Sequence, residues 1–142
     1  MNDPQFRLYV ICSLICSFIL MFLSGFTGAT RGRTKSPPNP EDAKLARTEK
    51  VPEDHPDVIR VSRAHRNALE NIPIFFVLGL LCVLVGAAPM GVKVCLIAFT
   101  AGRVFHMIFH LSAVQPWRSI SYAIGTASLL GMIVLISMAL VA

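Results

Sequence analysis

The side chains best able to do chemistry in this sequence are polar ones set within or beside long apolar runs. Arg63, Asn67 and Glu70 fall at i, i+4 and i+7, so a helix carrying them gathers them on one face, where Arg60 joins them. Arg66 and Glu70 form a further i,i+4 pair, while His65 points about 100° away from Arg66. Arg103, His106 and His110 are spaced by three and four and share a face of their own. Arg118 and Ser119 directly follow Pro116 and Trp117. Guanidiniums, imidazoles, an amide and one carboxylate suit a ligand that carries several negative charges and hydrogen-bonding groups. Beyond Asp57 the only acidic residue is Glu70, so a Glu70–Arg103 pair is expected to offset the cost of burying that arginine.

The elements that must position these groups follow from composition. Of 142 residues, 54% are hydrophobic and only 15% charged, with a net charge of +5. A soluble domain would carry nearer a quarter of charged residues. That balance excludes a disordered tail, a nucleic-acid binder and a disulfide-stapled secreted scaffold. The charges collect between four apolar blocks, near 8–29, 68–90, 92–114 and 119–141. Each block is long enough, at about 1.5 Å per residue, to cross a hydrocarbon layer of about 30 Å. The first block is too long for a signal-peptide core and no Ala-x-Ala-like site closes it, so it is expected to be a retained span. The expectation is an all-α integral membrane protein, a bundle of four spanning helices forming one domain over residues 1–142.

A long polar connection, 30–60, separates the first two spans. Asn39, Pro40, Glu41 and Asp42 read as a helix start inside it, and Asp57 is a candidate cap for the second span. Arg31, Arg33, Lys35, Lys44, Arg47 and Lys50 make the connection basic, whereas the next turn holds only Lys93. The positive-inside rule puts the first and third connections in the cytosol and both termini on the far side. The polar groups of the second, third and fourth spans then meet near the cytosolic face, with Arg103 deepest. The product is a cationic cleft opening to the cytosol, whose second substrate would be apolar and arrive through the membrane. Cys12 and Cys16 read as packing residues. His106 and His110 lack a third ligand at metal-site spacing, so no metal is expected.

The run from Arg60 to Asn71, the Asn39–Asp42 stretch, Gly102–His106 and Pro116–Ser119 together resemble the MAPEG superfamily of membrane-associated proteins in eicosanoid and glutathione metabolism. The resemblance covers about Gly28 to Tyr122 and is nearest to the microsomal glutathione transferases and microsomal prostaglandin E synthase. It implies a homotrimer with glutathione as co-substrate, bound between subunits at the cytosolic side of an endoplasmic reticulum or bacterial cytoplasmic membrane. By the same resemblance Arg66, Asn67, Glu70, Arg103 and His106 contact or organise glutathione, and Arg31 and Arg33 reach in from the adjacent subunit. Arg63 joins them from the polar face of its helix, and His110 stands where both nearest branches usually carry a tyrosine. Arg118 matches the arginine credited with stabilising the thiolate, Ser119 a serine that assists it, and Asp42 a loop aspartate implicated in the chemistry. The implied activity is glutathione transfer to lipophilic electrophiles and reduction of lipid hydroperoxides. Prostaglandin E synthesis and a non-catalytic lipid-binding scaffold are the alternatives.

Overall fold

The computed structural model describes residues 3–49 and 53–141, so Lys50 and Pro52 of the basic connection lie outside the described residues. There are five helices among them: α1 (Pro4–Thr34), α2 (Pro40–Leu45), α3 (Pro56–Leu84), α4 (Pro89–Leu111) and α5 (Trp117–Val141). The four long ones are each apolar and long enough to span a bilayer, and the chain is an all-α, multi-pass membrane protein. α3 and α4 form the centre, with α1 packed on both of them and α5 on the opposite side, chiefly against α4.

The starts and stops of these helices have local causes. Asp3 caps α1 by accepting from the Gln5 amide at 2.9 Å, and Pro4 occupies the first helical position. α1 then runs five residues past the expected limit of its apolar block. The Thr30 and Thr34 hydroxyls donate to the carbonyls of Phe26 and Thr30, so the helix carries its polar end without a break. Lys35, at φ 51°, closes it in the left-handed conformation. α2 begins at Pro40 as expected, but the Asn39 amide donates to the Asp42 carboxylate at 3.1 Å instead of capping the backbone.

α3 corrects the expected cap and the expected end. Its cap is His55, whose Nδ1 accepts from the Asp57 amide at 3.2 Å; Asp57 lies inside the first turn. The helix starts at Pro56 and carries the whole Arg60–Asn71 cluster, as its spacing predicts, but ends at Leu84 and not near residue 90. Gly86, at φ +66°, makes the tight turn to α4, a conformation glycine adopts without penalty.

The buried core centres on the stacked rings of Phe75 and Phe99, 4.4 Å apart, with Cys16, Leu23, Ile72, Leu96 and Met132 around them. Cys12 and Cys16 are buried packing residues there. Large apolar side chains such as Phe18, Met21 and Leu14 stay exposed on α1, as lipid-facing positions should. Where α4 crosses α5, a Cβ on Gly102 would stand 3.1 Å from the Ser121 carbonyl oxygen, so small residues set the close approach.

Candidate functional site

That crossing is where the polar chemistry gathers. Arg103 is only 3% exposed and reaches along α5 over Gly125, where any added Cβ would collide with the guanidinium. Its Nη1 donates to Asn67 Oδ1 at 3.2 Å and its Nη2 to the Tyr122 carbonyl at 3.4 Å. The rings of Phe99 and Tyr122 lie 5.2 and 5.4 Å from the guanidinium carbon, and this aromatic contact further offsets burial of the charge. Arg103 therefore ties α3, α4 and α5 together. The expected Glu70 pair is absent: Glu70 accepts from Arg66 Nε at 3.1 Å instead, and both stand on the outer face of α3, their side chains 57% and 82% exposed. The geometric reason is that Asn67 already occupies the inward position on α3, one helical turn short of Asn71, whose amide donates back to the Asn67 carbonyl.

Beside this hub opens a cleft of about 600 Å³ lined by Arg60, Arg63, Asn67, His106, His110 and Arg118, with Pro56 and Ile59 as its apolar wall. His106 Nδ1 donates to the Arg118 carbonyl at 3.0 Å, which leaves Nε2 as the acceptor. That Nε2, His110 Nδ1 and Arg103 Nε are buried and have no hydrogen-bond partner. Buried polar atoms are rarely left so, and a cluster of them at a cationic cleft fits a polar, anionic ligand. Arg118 is held from outside. The Gln115 carboxamide, oriented to satisfy both neighbours, accepts from Arg118 Nε at 3.1 Å and Nη2 at 2.6 Å, and donates to Ser119 Oγ at 3.1 Å.

Other expected site residues lie elsewhere in the subunit. Ser119 bonds Gln115 and does not line the cleft. Arg31 and Asp42 line a second cavity of about 430 Å³ between the end of α1 and α2, together with Lys35 and Arg47. There Arg31 forks onto Asp54 at 2.7 and 2.8 Å and also donates to the Ser36 carbonyl. Arg33 stands 3.5 Å from Asp57. One subunit thus brings Arg63, Asn67, Arg103, His106, His110 and Arg118 together, and leaves Arg31, Arg33, Asp42, Arg66, Glu70 and Ser119 outside that group.

Residues 9–138 match the MAPEG family. The chain belongs to that family. Human (Homo sapiens) prostaglandin E synthase is 32% identical over 125 residues, 87% of this chain and 82% of the relative. The bovine (Bos taurus) prostaglandin E synthase is 31% identical over the same length, 87% of this chain and 82% of the relative. Human microsomal glutathione S-transferase 1 is 33% identical over 137 residues, 93% of this chain and 88% of the relative.

Two residues around the Arg103 hub and Arg118 escaped the sequence reading. Tyr122 supplies both a carbonyl and a ring to Arg103, and its ring centroid lies 5.9 Å from that of His106. It sits one turn beyond Arg118 on α5, so helical spacing could have found it. Gln115 had no such signal. It precedes α5, and its reach to Arg118 depends on the turn that joins α4 to α5.

Proposed function

We propose that this MAPEG protein activates glutathione as a thiolate and directs it at lipophilic electrophiles and lipid hydroperoxides. The observation that carries this reading is the cleft itself: three guanidiniums, two imidazoles and an amide, with no carboxylate lining it among the described residues. Glutathione offers two carboxylates, peptide groups and a thiol to such a lining. Arg60 and Arg63 suit forked contacts with the carboxylates. Arg118 is the cation nearest the exposed interfacial Trp117, where a sulfur can meet a substrate from the lipid. A free thiol has a pKa of about 8.5, and a fixed positive charge lowers it, so more thiolate is present at neutral pH. The thiolate then attacks an electrophilic carbon, or the outer oxygen of a hydroperoxide. In the second case the lipid leaves as alcohol and glutathione becomes a sulfenic acid, which a second glutathione converts to disulfide and water.

The glutathione ammonium needs a carboxylate, and the cleft offers none. What supports a homotrimer with sites between subunits is that the Arg66–Glu70 pair stands on an outer face, where a neighbouring copy would receive it. Arg31, Arg33 and Asp42 would also reach the site only from an adjacent copy. Cytosolic first and third connections are supported by the basic residues around α2. The prostaglandin E synthase reading is favoured by the similarity to the human and bovine synthases and by the Arg118-Ser119 pair.

Calorimetric titration of the purified protein with glutathione tests the reading. Saturable heat, displaced by S-alkyl glutathiones, is expected, and a folded sample that gives neither would leave a lipid-binding scaffold. Turnover of a prostaglandin endoperoxide against turnover of a hydroperoxide and an aryl halide separates the synthase from the transferase and peroxidase. A single cysteine at position 44, labelled only from the luminal side, would overturn the topology.

A further inference from the structure

We propose that His110 is the group that takes the thiol proton in this site and returns it to the leaving oxygen, and that His106 positions it. The proposal rests on the glutathione reading above. Of the polar side chains that line the cleft, Arg60, Arg63 and Arg118 stay protonated and hold no acceptor, and the Asn67 amide is not a base. The two imidazoles are the lining groups that remain able to take and return a proton.

The two rings differ in what they can do. His106 is 8% exposed, and its Nδ1 hydrogen is committed to the Arg118 carbonyl. That bond ties the ring to the backbone of the residue whose guanidinium would face the sulfur. His110 lies one turn further along α4, half-buried, with its ring edge-on to that of His106 at 64° and 5.5 Å between centroids. Its Nδ1 is enclosed and has no partner. In the tautomer that leaves Nδ1 without its hydrogen, this enclosed lone pair can accept from a proton donor that arrives with the ligand. The charged and titratable groups around it are Arg60 and Arg63 on α3, Arg103 and His106 on α4, and Arg118 on α5.

The step balances. The thiol S–H bond breaks and the proton moves to the His110 imidazole. The sulfur pair forms a bond to the outer hydroperoxide oxygen, the O–O bond breaks, and its electrons go to the lipid alkoxide. The imidazolium then protonates that alkoxide, which leaves glutathione oxidised to the sulfenic acid, the hydroperoxide reduced to the alcohol, and His110 neutral again. In conjugation of an aryl halide no alkoxide forms, so the proton passes to solvent.

Three variants test this in the full-length protein with hydroperoxide and aryl halide substrates. His110→Gln should lower hydroperoxide kcat about 100-fold, the usual scale of general acid–base catalysis, and flatten the acid limb of its pH profile. Glutathione affinity by calorimetry should fall by much less than kcat, about tenfold at most, the equivalent of losing one hydrogen bond. His110→Ala should regain hydroperoxide turnover in proportion to added free imidazole, a response a packing role does not produce. His106→Gln, which removes the anchor and not the base, should keep an acid limb while losing part of kcat. Parent-like kcat and pH profile in His110→Gln, or no imidazole rescue in a folded, glutathione-binding His110→Ala, would overturn the assignment. A parent protein that binds no glutathione would instead sink the functional reading underneath it.

Discussion

The two polar cavities of this subunit are built from the same residue types and solve opposite problems. In the cavity beneath α2, one of the two lining arginines is spoken for: Arg31 forks onto Asp54 and donates to the Ser36 carbonyl. In the cleft between α3, α4 and α5, three guanidiniums face two imidazoles, with no carboxylate lining it among the described residues. The Arg31–Asp54 pair holds a connection against the end of α1, whereas guanidiniums without a carboxylate, beside unsatisfied nitrogens, leave room for a ligand. Within one subunit the comparison points to a structural role for the first cavity and supports the proposed chemistry of the second.

The sharpest way to break that contrast is to remove the cleft's outermost cation. Arg118→Ala should cut turnover about 100-fold or more, the scale of losing one preorganised charge at a reacting centre. The same change should raise the pH midpoint of thiolate formation, since the cation that favours S⁻ over SH is gone. Ultraviolet difference spectra in the thiolate band read that midpoint directly. An unchanged midpoint with unchanged turnover at saturating glutathione would move the role to Arg103.

A structural change at the hub should come next in size. Gly125→Ala drives a methyl into the Arg103 guanidinium and disturbs its contacts with Asn67 and Tyr122. Overpacking of this kind costs about 1–3 kcal/mol, and thermal unfolding in detergent should report it. A Gly131→Ala control meets only the Cys95 sulfur at 3.0 Å and should cost less.

Asp54→Asn probes the other cavity. It breaks the bidentate Arg31 pair, in which the side chains are 20% and 33% exposed, so a loss of about 1 kcal/mol is expected with little change in glutathione affinity at low salt. A large loss of affinity would show that the α2 cavity serves the ligand directly, and would erase the contrast drawn between the two.

What was legible in the sequence follows the same division. Four spans were readable because an uncharged run of this length has one economical solution in lipid. The shared face of Arg103, His106 and His110 was readable from helical spacing alone. Partners across helices were not. Spacing places Glu70 near the Arg63 face, yet a rotation of part of a turn sends it outward to Arg66, and Asn67 receives Arg103 instead. The end of α1 was misjudged where charge was taken as a stop. Thr30, Arg31 and Arg33 continue α1, because a membrane helix runs on into water when side chains satisfy its end, whereas Arg60–Asn71 is helical in α3 as its spacing predicts. Sequence similarity to the family groups Asp42, Arg31 and Ser119 with the site, but within one subunit the backbone carries them away from it.

The smallest expected effect falls on Ser119, and it sharpens the choice between chemistries. Its hydroxyl is engaged with the Gln115 carboxamide, which in turn holds Arg118 through Nε and Nη2. Ser119→Ala removes one neutral hydrogen bond at an exposed position, worth about 0.5–1.5 kcal/mol at most, and leaves the Gln115–Arg118 contacts in place. For conjugation, where Arg118 needs only to keep its charge near the sulfur, kcat should change by no more than about tenfold, the equivalent of 1.4 kcal/mol. Endoperoxide isomerisation would lose more only if the Ser119 hydroxyl joined His110 in moving the proton as the O–O bond opens. Parallel assays of Ser119→Ala with an aryl halide and a prostaglandin endoperoxide therefore separate the two. Equal, small losses on both leave Ser119 as a strut for Gln115, whereas a loss confined to the endoperoxide draws the hydroxyl into the cleft and favours the synthase reading.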